Sequence, residues 1–189
     1  MLDQSNTTPL FLPPLNFRSA EAVQWAEFKS EGPFDPERFQ RTGARGAGNR
    51  YERKAQLWFE ERYSSHYRRS PWIKFVCEDS PRTRWAQPDG LLVDNTANRV
   101  TIIEFKIRHT QNAWWGLRKL YEPLVRFIFG GGCHYSVCEV CKTFDFATAW
   151  PEPFVMVEDP ISVPINAFGV HVWNGSKDQP RLKDLKIAT

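Results

Sequence analysis

Nowhere in this 189-residue sequence does an apolar run approach the roughly 20 residues a membrane-spanning helix needs, so a membrane span is not expected. The first residues carry Asp3 and an apolar stretch broken by Pro9, Pro13 and Pro14. They lack the basic segment and small-residue cleavage site of a secretory leader, and a cytoplasmic location is expected. Cysteine is sparse, with four residues, Cys77, Cys133, Cys138 and Cys141, and without a leader their pairing into disulfides is not expected. No Gly or Pro stands between Cys138 and Cys141 to make a knuckle-like turn, and residues three apart on a strand face opposite sides. Buried free thiols are therefore favoured over a zinc site formed with Cys133 and His134, although a zinc-stapled interaction module stays open. Net charge is also low, at +3, and 41% apolar content with eight Trp excludes wholesale disorder. The length suits one domain with some decoration.

The charge that is present is unevenly placed. Residues 38–69 hold nine Arg/Lys against three Glu, leaving the rest of the chain net negative. Such a patch is either an electrostatic footprint for phosphate backbones or a solvated helix face with a basic loop. Arg41, Arg45, Arg50 and Arg53 are its candidate phosphate contacts, with Arg118 and Lys119 as further candidates.

In chain order, residues 1–18 read as an extended arm and residues 20–29 as a helix capped by Ser19. Residues 30–48, rich in Gly, Pro and Arg, read as a loop, either a mobile arm over nucleic acid or a plain linker. A helix is expected over 50–67, a strand over 72–77, and a turn at Glu78-Asp79-Ser80-Pro81. Residues 111–129 read as a helix with Ala113, Trp114, Leu117, Leu120, Tyr121, Leu124, Val125 and Ile128 inward. Trp115, Arg118, Lys119, Glu122 and Arg126 face outward, and Pro123 predicts a kink. Trp115 is either core or a stacking surface for a base. Gly130-Gly131-Gly132 ends this helix, and strands are expected at 135–144, 153–157 and 168–173.

The chemistry concentrates in residues 87–108. An apolar run after Asp89, the turn Asp94-Asn95-Thr96-Ala97-Asn98 and the β-branched run from Val100 predict a hairpin. On its second strand Val100, Ile102, Glu104 and Lys106 share one face, and the antiparallel return lets Asp89 approach Glu104. Two acids and a lysine converging at a sheet edge suit a hard divalent cation such as Mg²⁺; the plainer reading is an ion pair at a solvated strand end. Of four acid-X-Lys tripeptides, only Glu104-Phe105-Lys106 lies on an expected strand after a Pro-Asp, here Pro88-Asp89.

Pro88-Asp89 followed by Glu104-Phe105-Lys106 resembles the motif of the PD-(D/E)XK nuclease superfamily. The resemblance implies a restriction-endonuclease-like α/β fold, an αβββαβ core with a central mixed sheet flanked by helices. It divides the chain into a helical and extended arm with a basic loop (1–48), the core (49–157) and an extension (158–189). It implies Mg²⁺, with Mn²⁺ as a substitute, held by Asp89, Glu104, the Phe105 carbonyl and a helical glutamate. Glu52 is the candidate for that glutamate and Glu60 a weaker one; Asn49-Arg50-Tyr51-Glu52 equally has the spacing of a capping box. Lys106 would orient the attacking water, and Gln111 is the nearby polar residue on the following helix. One branch of the superfamily carries Gln four before the Tyr121 position, where this chain has Leu117. The implied activity is metal-dependent hydrolysis of nucleic acid, DNA foremost, with a second copy or a partner subunit supplying specificity. An inactive binding or scaffolding subunit on the same fold is the main alternative.

Overall fold

The computed structural model describes residues 12–33, 43–145 and 150–176, with side chains from residue 46 in the second stretch. Arg41, most of the expected arm and the polar end lie outside the described residues. Arg45 lies on a described helix, but its side chain is outside the description.

The fold is mixed α/β, built on a central mixed sheet flanked by helices. Strands β1 (Val23–Lys29), β3 (Trp72–Cys77) and β4 (Ser80–Ala86) form a small antiparallel sheet in the order β1-β3-β4. The central sheet runs β2-β5-β6-β7-β9-β8, from β2 (Tyr67–Arg69), β5 (Gly90–Asp94), β6 (Arg99–Arg108), β7 (His134–Thr143), β8 (Phe154–Met156) and β9 (Phe168–Val172). The expected hairpin is present as β5 and β6, antiparallel with Gly90 opposite Ile103 and Asp94 opposite Arg99. β6 and β7 are parallel, so the chain must cross over between them, and helix 111–129 is that crossover.

Both faces of the sheet are covered, which is why β6 and β7 read as near-continuous apolar runs. On one face Ile102, Val137 and Cys141 pack with Leu117, Leu124 and Val125 of the crossover and with Ile73 and Phe75 of the small sheet. On the other, Ile103, Phe105, Cys138 and Val140 pack under Tyr51, Ala55 and Phe59 of helix α1 (Gly43–Tyr63). Cys138 and Cys141 thus belong to different cores on opposite faces, as the strand period requires.

Four expectations are corrected. Residues 20–29 do not form a helix: β1 pairs along β3 from Val23 opposite Cys77 to Lys29 opposite Trp72, and this nonlocal ladder overrides weak local propensity. Helix α1 starts at Gly43 rather than near Arg50, and it ends at Tyr63. Ser64 then takes a positive φ of 45°, a helix-ending conformation, and the chain turns into β2, an edge of the central sheet. The strand 72–77 exists but belongs to the small sheet, so β2 occupies the place beside the hairpin that it was expected to fill.

Pro123 does not produce a sharp break. Residues Gln111–Trp114 (α2) and Glu122–Phe129 (α3) are joined by a π-wound segment, Trp115–Tyr121. Proline cannot donate to the carbonyl four residues back, that of Lys119. The Ala20 amide donates to that carbonyl instead, at 2.8 Å, tying the entry to β1 onto the crossover.

Candidate functional site

The site forms where β5 begins and β6 continues. Gly90 is the first residue of β5 and pairs opposite Ile103, while β6 runs on past that pair to Arg108. Asp89 therefore sits beside the unpaired edge of β6, and its Oδ2 accepts the Phe105 amide at 2.7 Å. The N–H and C=O of a strand residue project to the same edge, so the Phe105 carbonyl also faces the Asp89 side. Glu104 and Lys106 share a face, and the Lys106 ammonium donates to Glu104 Oε1. Glu104 Oε2 is buried with no hydrogen-bond partner among the described residues.

The Asp89 peptide is held rigidly. Its carbonyl accepts the Ser70 amide at 3.1 Å, the Ser70 hydroxyl at 3.2 Å and the Tyr67 hydroxyl at 3.1 Å. Ser70 itself has a positive φ of 39°. Only glycine fits at position 90, because a Cβ there would lie 2.3 Å from the Tyr67 ring.

Glu52 comes to this edge from α1. Buried Gln56 donates to Glu52 Oε1 at 3.2 Å and to the Ser70 hydroxyl at 2.8 Å, so a hydrogen-bonded chain links the helix carboxylate to the Asp89 peptide. The capping-box alternative fails, since α1 begins six residues before Asn49 and that residue is mid-helix. Glu60 lies two turns further along, exposed and paired with Arg69 at 3.4 Å.

Tyr121, the last residue of the π-wound segment, reaches the same place from the opposite face. Burial pushes its phenol well above the usual range, and the charges of Glu104, Asp89 and Glu52 push it further. Burial likewise raises the Asp89 carboxyl well above the ordinary carboxylate range, reinforced by Glu104 and Glu52 and opposed by Lys106 and the Phe105 amide. Glu52 is raised by burial and then by Glu104, against Lys106, Arg69 and Gln56. Burial alone would lower Lys106, but Glu104 and Asp89 outweigh it and the ammonium is held charged. The cluster sets three acids against one lysine, and the raised carboxyls report that crowding.

Glu139 on β7 stands directly across the parallel ladder from Glu104 and adds to the field at Lys106. It is fully buried, hydrogen-bonded to His109 Nδ1 at 2.5 Å and accepting the Thr110 amide at 3.3 Å. Trp150 stacks on the His109 ring at 3.8 Å. Sequence reasoning missed Gln56, Ser70 and this pair, because the bonds that assemble them, Gln56 to Ser70, Ser70 to Asp89 and His109 to Glu139, join residues 14 to 30 apart.

The residues expected to meet nucleic acid divide. Arg50 and Arg53 are exposed on α1. Arg118 is instead committed to Glu122 at 2.8 Å, Glu152 at 2.8 Å and the Asn166 carbonyl at 2.9 Å. The Lys119 ammonium lies over the Trp114 ring at 5.7 Å. Trp115 is half-buried and packs on Phe17 at 5.6 Å and edge-on to Trp114 at 4.9 Å. Gln111 is the half-buried first residue of α2.

Among the described residues, no three His, Cys, Asp or Glu side chains stand close enough to form a ready-made metal cage. The donor set at the β6 edge nevertheless suits a hard cation: carboxyl and carbonyl oxygens, one carboxyl oxygen buried without a partner among the described residues, and acids crowded enough to raise one another's pKa. No protein-family model matches the chain, and no curated protein matches its sequence.

Proposed function

We propose that this protein is a Mg²⁺-dependent nuclease with a restriction-endonuclease-like core, hydrolysing phosphodiester bonds of nucleic acid, DNA foremost. The observation that carries the reading is the meeting of Asp89, Glu104 and Lys106 at the free edge of β6, with the Asp89 carboxylate fixed on the Phe105 amide. The order of elements around the central sheet also supports it: helix α1, strands β2, β5 and β6, the crossover helix, then β7. In this reading β3 and β4 are an insertion between β2 and β5, to which β1 adds.

Asp89, Glu104 and the Phe105 carbonyl would hold the metal, with Glu52 as a further carboxylate. A bound Mg²⁺ supplies a water of lowered pKa and a counter-charge for the phosphate. The chain's own part is positioning. Lys106, kept charged by its neighbours, exchanges its bond to Glu104 for one to the attacking water or a phosphate oxygen, where it stabilises developing negative charge. Gln56 and Ser70 keep Glu52 and Asp89 in register, and Tyr121 closes the site on the side away from α1.

A second reading, a nucleic-acid-binding subunit that does not cut, is favoured by the Lys106–Glu104 pair together with the lack of a ready-made cage among the described residues. Cleavage of labelled single-stranded, double-stranded and branched DNA and of RNA, with Mg²⁺, Mn²⁺ or EDTA, separates the two. Metal-dependent cutting of any of them supports the nuclease. Binding without cutting under every condition supports the second reading.

A further inference from the structure

A cavity of about 290 Å³ lies between α1, the carboxyl ends of β6 and β7, and the turn after β9. Arg50, Lys54 and Lys142 contribute three cations to its wall, Ala47, Tyr51, Ile107, Asn174 and Gly175 line the rest, and among the described residues no acid lines it. All three cations are exposed and form no ion pair among the described residues. The Asn174 amide oxygen accepts the Ser176 N–H at 2.8 Å, so the group this side chain has left to offer a ligand is its NH₂ donor. Tyr51 is anchored by donating to the Trp173 carbonyl at 3.0 Å. The wall is thus made of donors and positive charge on a fixed frame, at the carboxyl ends of parallel strands, where open α/β sheets bind ligands.

Its place relative to the acid cluster gives the cavity a role. Ala47, Arg50, Tyr51 and Lys54 fall at helical spacings of three and four and line one flank of α1. Glu52 and Gln56 occupy the other flank, facing Ser70 and Asp89. The two sites are therefore separated by roughly the width of one helix, about 10 Å.

We infer that this cavity is a phosphate subsite, binding one phosphate of a nucleic-acid strand while another phosphate of the same strand lies at Asp89 and Glu104. The assignment rests on the proposed nuclease reading for its choice of ligand. The recognising chemistry is that of a phosphate anion, either an internal diester or a terminal monoester. Contacts of this kind hold the strand in register and carry no sequence information.

The test is fluorescence anisotropy of a labelled single-stranded oligonucleotide, with and without a terminal phosphate, in EDTA over a range of salt. Wild type is compared with the double variant Lys54→Glu/Lys142→Glu, with Ala47→Glu, which puts a carboxylate into the cavity from an exposed helix, and with Arg82→Glu on β4 as a control. The cavity variants should bind at least tenfold more weakly. The salt slope of the double variant should fall by about 0.7, for the one phosphate that is no longer neutralised. If removing the terminal phosphate weakens wild type but not the cavity variants, the occupant is the terminal monoester; if it changes neither, the occupant is an internal diester. Cavity variants that bind no worse than Arg82→Glu overturn the subsite, as does a wild type that binds no oligonucleotide. Binding lost in the cavity variants, with no cleavage by wild type under any metal, keeps the subsite and sinks the nuclease reading. Cleavage with binding unaffected by the cavity variants does the reverse.

Discussion

Replacing Asp89 by Asn removes a charge from the crowded edge of β6 while keeping an oxygen to accept the Phe105 amide. In wild type without metal, the Asp89 carboxyl titrates well above its unfolded value near 3.9 because of burial and the neighbouring Glu104 and Glu52. A carboxyl whose folded pKa is raised binds more protons when folded. Its contribution to stability is complete below the unfolded pKa and is lost as pH rises through the folded one. Metal-free wild type should therefore lose melting temperature as pH rises above the unfolded carboxylate range, and Asp89→Asn should lose less. A divalent cation should reverse the order. At a hundredfold excess over its dissociation constant a ligand stabilises by about 2.7 kcal/mol, on the order of 5–10 °C for a domain of this size. Because the carboxyls must lose protons to bind it, that gain should grow with pH. Differential scanning fluorimetry with EDTA, Mg²⁺ and Mn²⁺ at several pH values reads both effects. A variant that metal stabilises as much as wild type, or a wild type that metal does not stabilise, would mean that Asp89 is not a metal ligand.

Gly90→Ala sets a methyl against the Tyr67 ring, where its Cβ would stand at 2.3 Å; chemical denaturation should show a loss of about 1–3 kcal/mol. Gln56→Ala cuts the link from Glu52 to Ser70. It should cost about 1–3 kcal/mol of stability and slow cleavage; an unchanged rate would remove Gln56 from the positioning role. Glu139→Ala leaves His109 without its buried hydrogen-bond partner, and urea unfolding should register about 1–3 kcal/mol, with a smaller loss for Glu139→Gln. A cost within 0.5 kcal/mol for Glu139→Ala would mean the pair is not closed in solution.

The hairpin could be read from the sequence because its signals are local: β-branched residues at 100–103 and a turn of Asp and Asn between the strands. The same holds for the crossover helix, whose inward residues Leu117, Leu124 and Val125 do reach the core. Asp89, Glu104 and Lys106 followed from strand period and hairpin return alone. β1 was hidden because its backbone partner, β3, lies more than forty residues away and its own sequence fits a helix equally well. β2 was hidden because it is three residues long and follows a helix without a Gly or Pro stop. Arg118 looked outward by helical period, and only the fold reveals the Glu152 that captures it. Tyr121 was assigned to the buried side correctly, but its nearness to three carboxylates depends on the π-wound segment, which no local pattern announces.

The central claim, catalysis at the edge of β6, is tested most directly by single-turnover cleavage of the best substrate by wild type and Lys106→Ala, at saturating Mg²⁺ and with binding measured beside it. The variant should fold, bind nucleic acid, and cut on the order of a hundredfold or more slowly, several kcal/mol of lost transition-state stabilisation. Cutting at the wild-type rate by Lys106→Ala would contradict the claim.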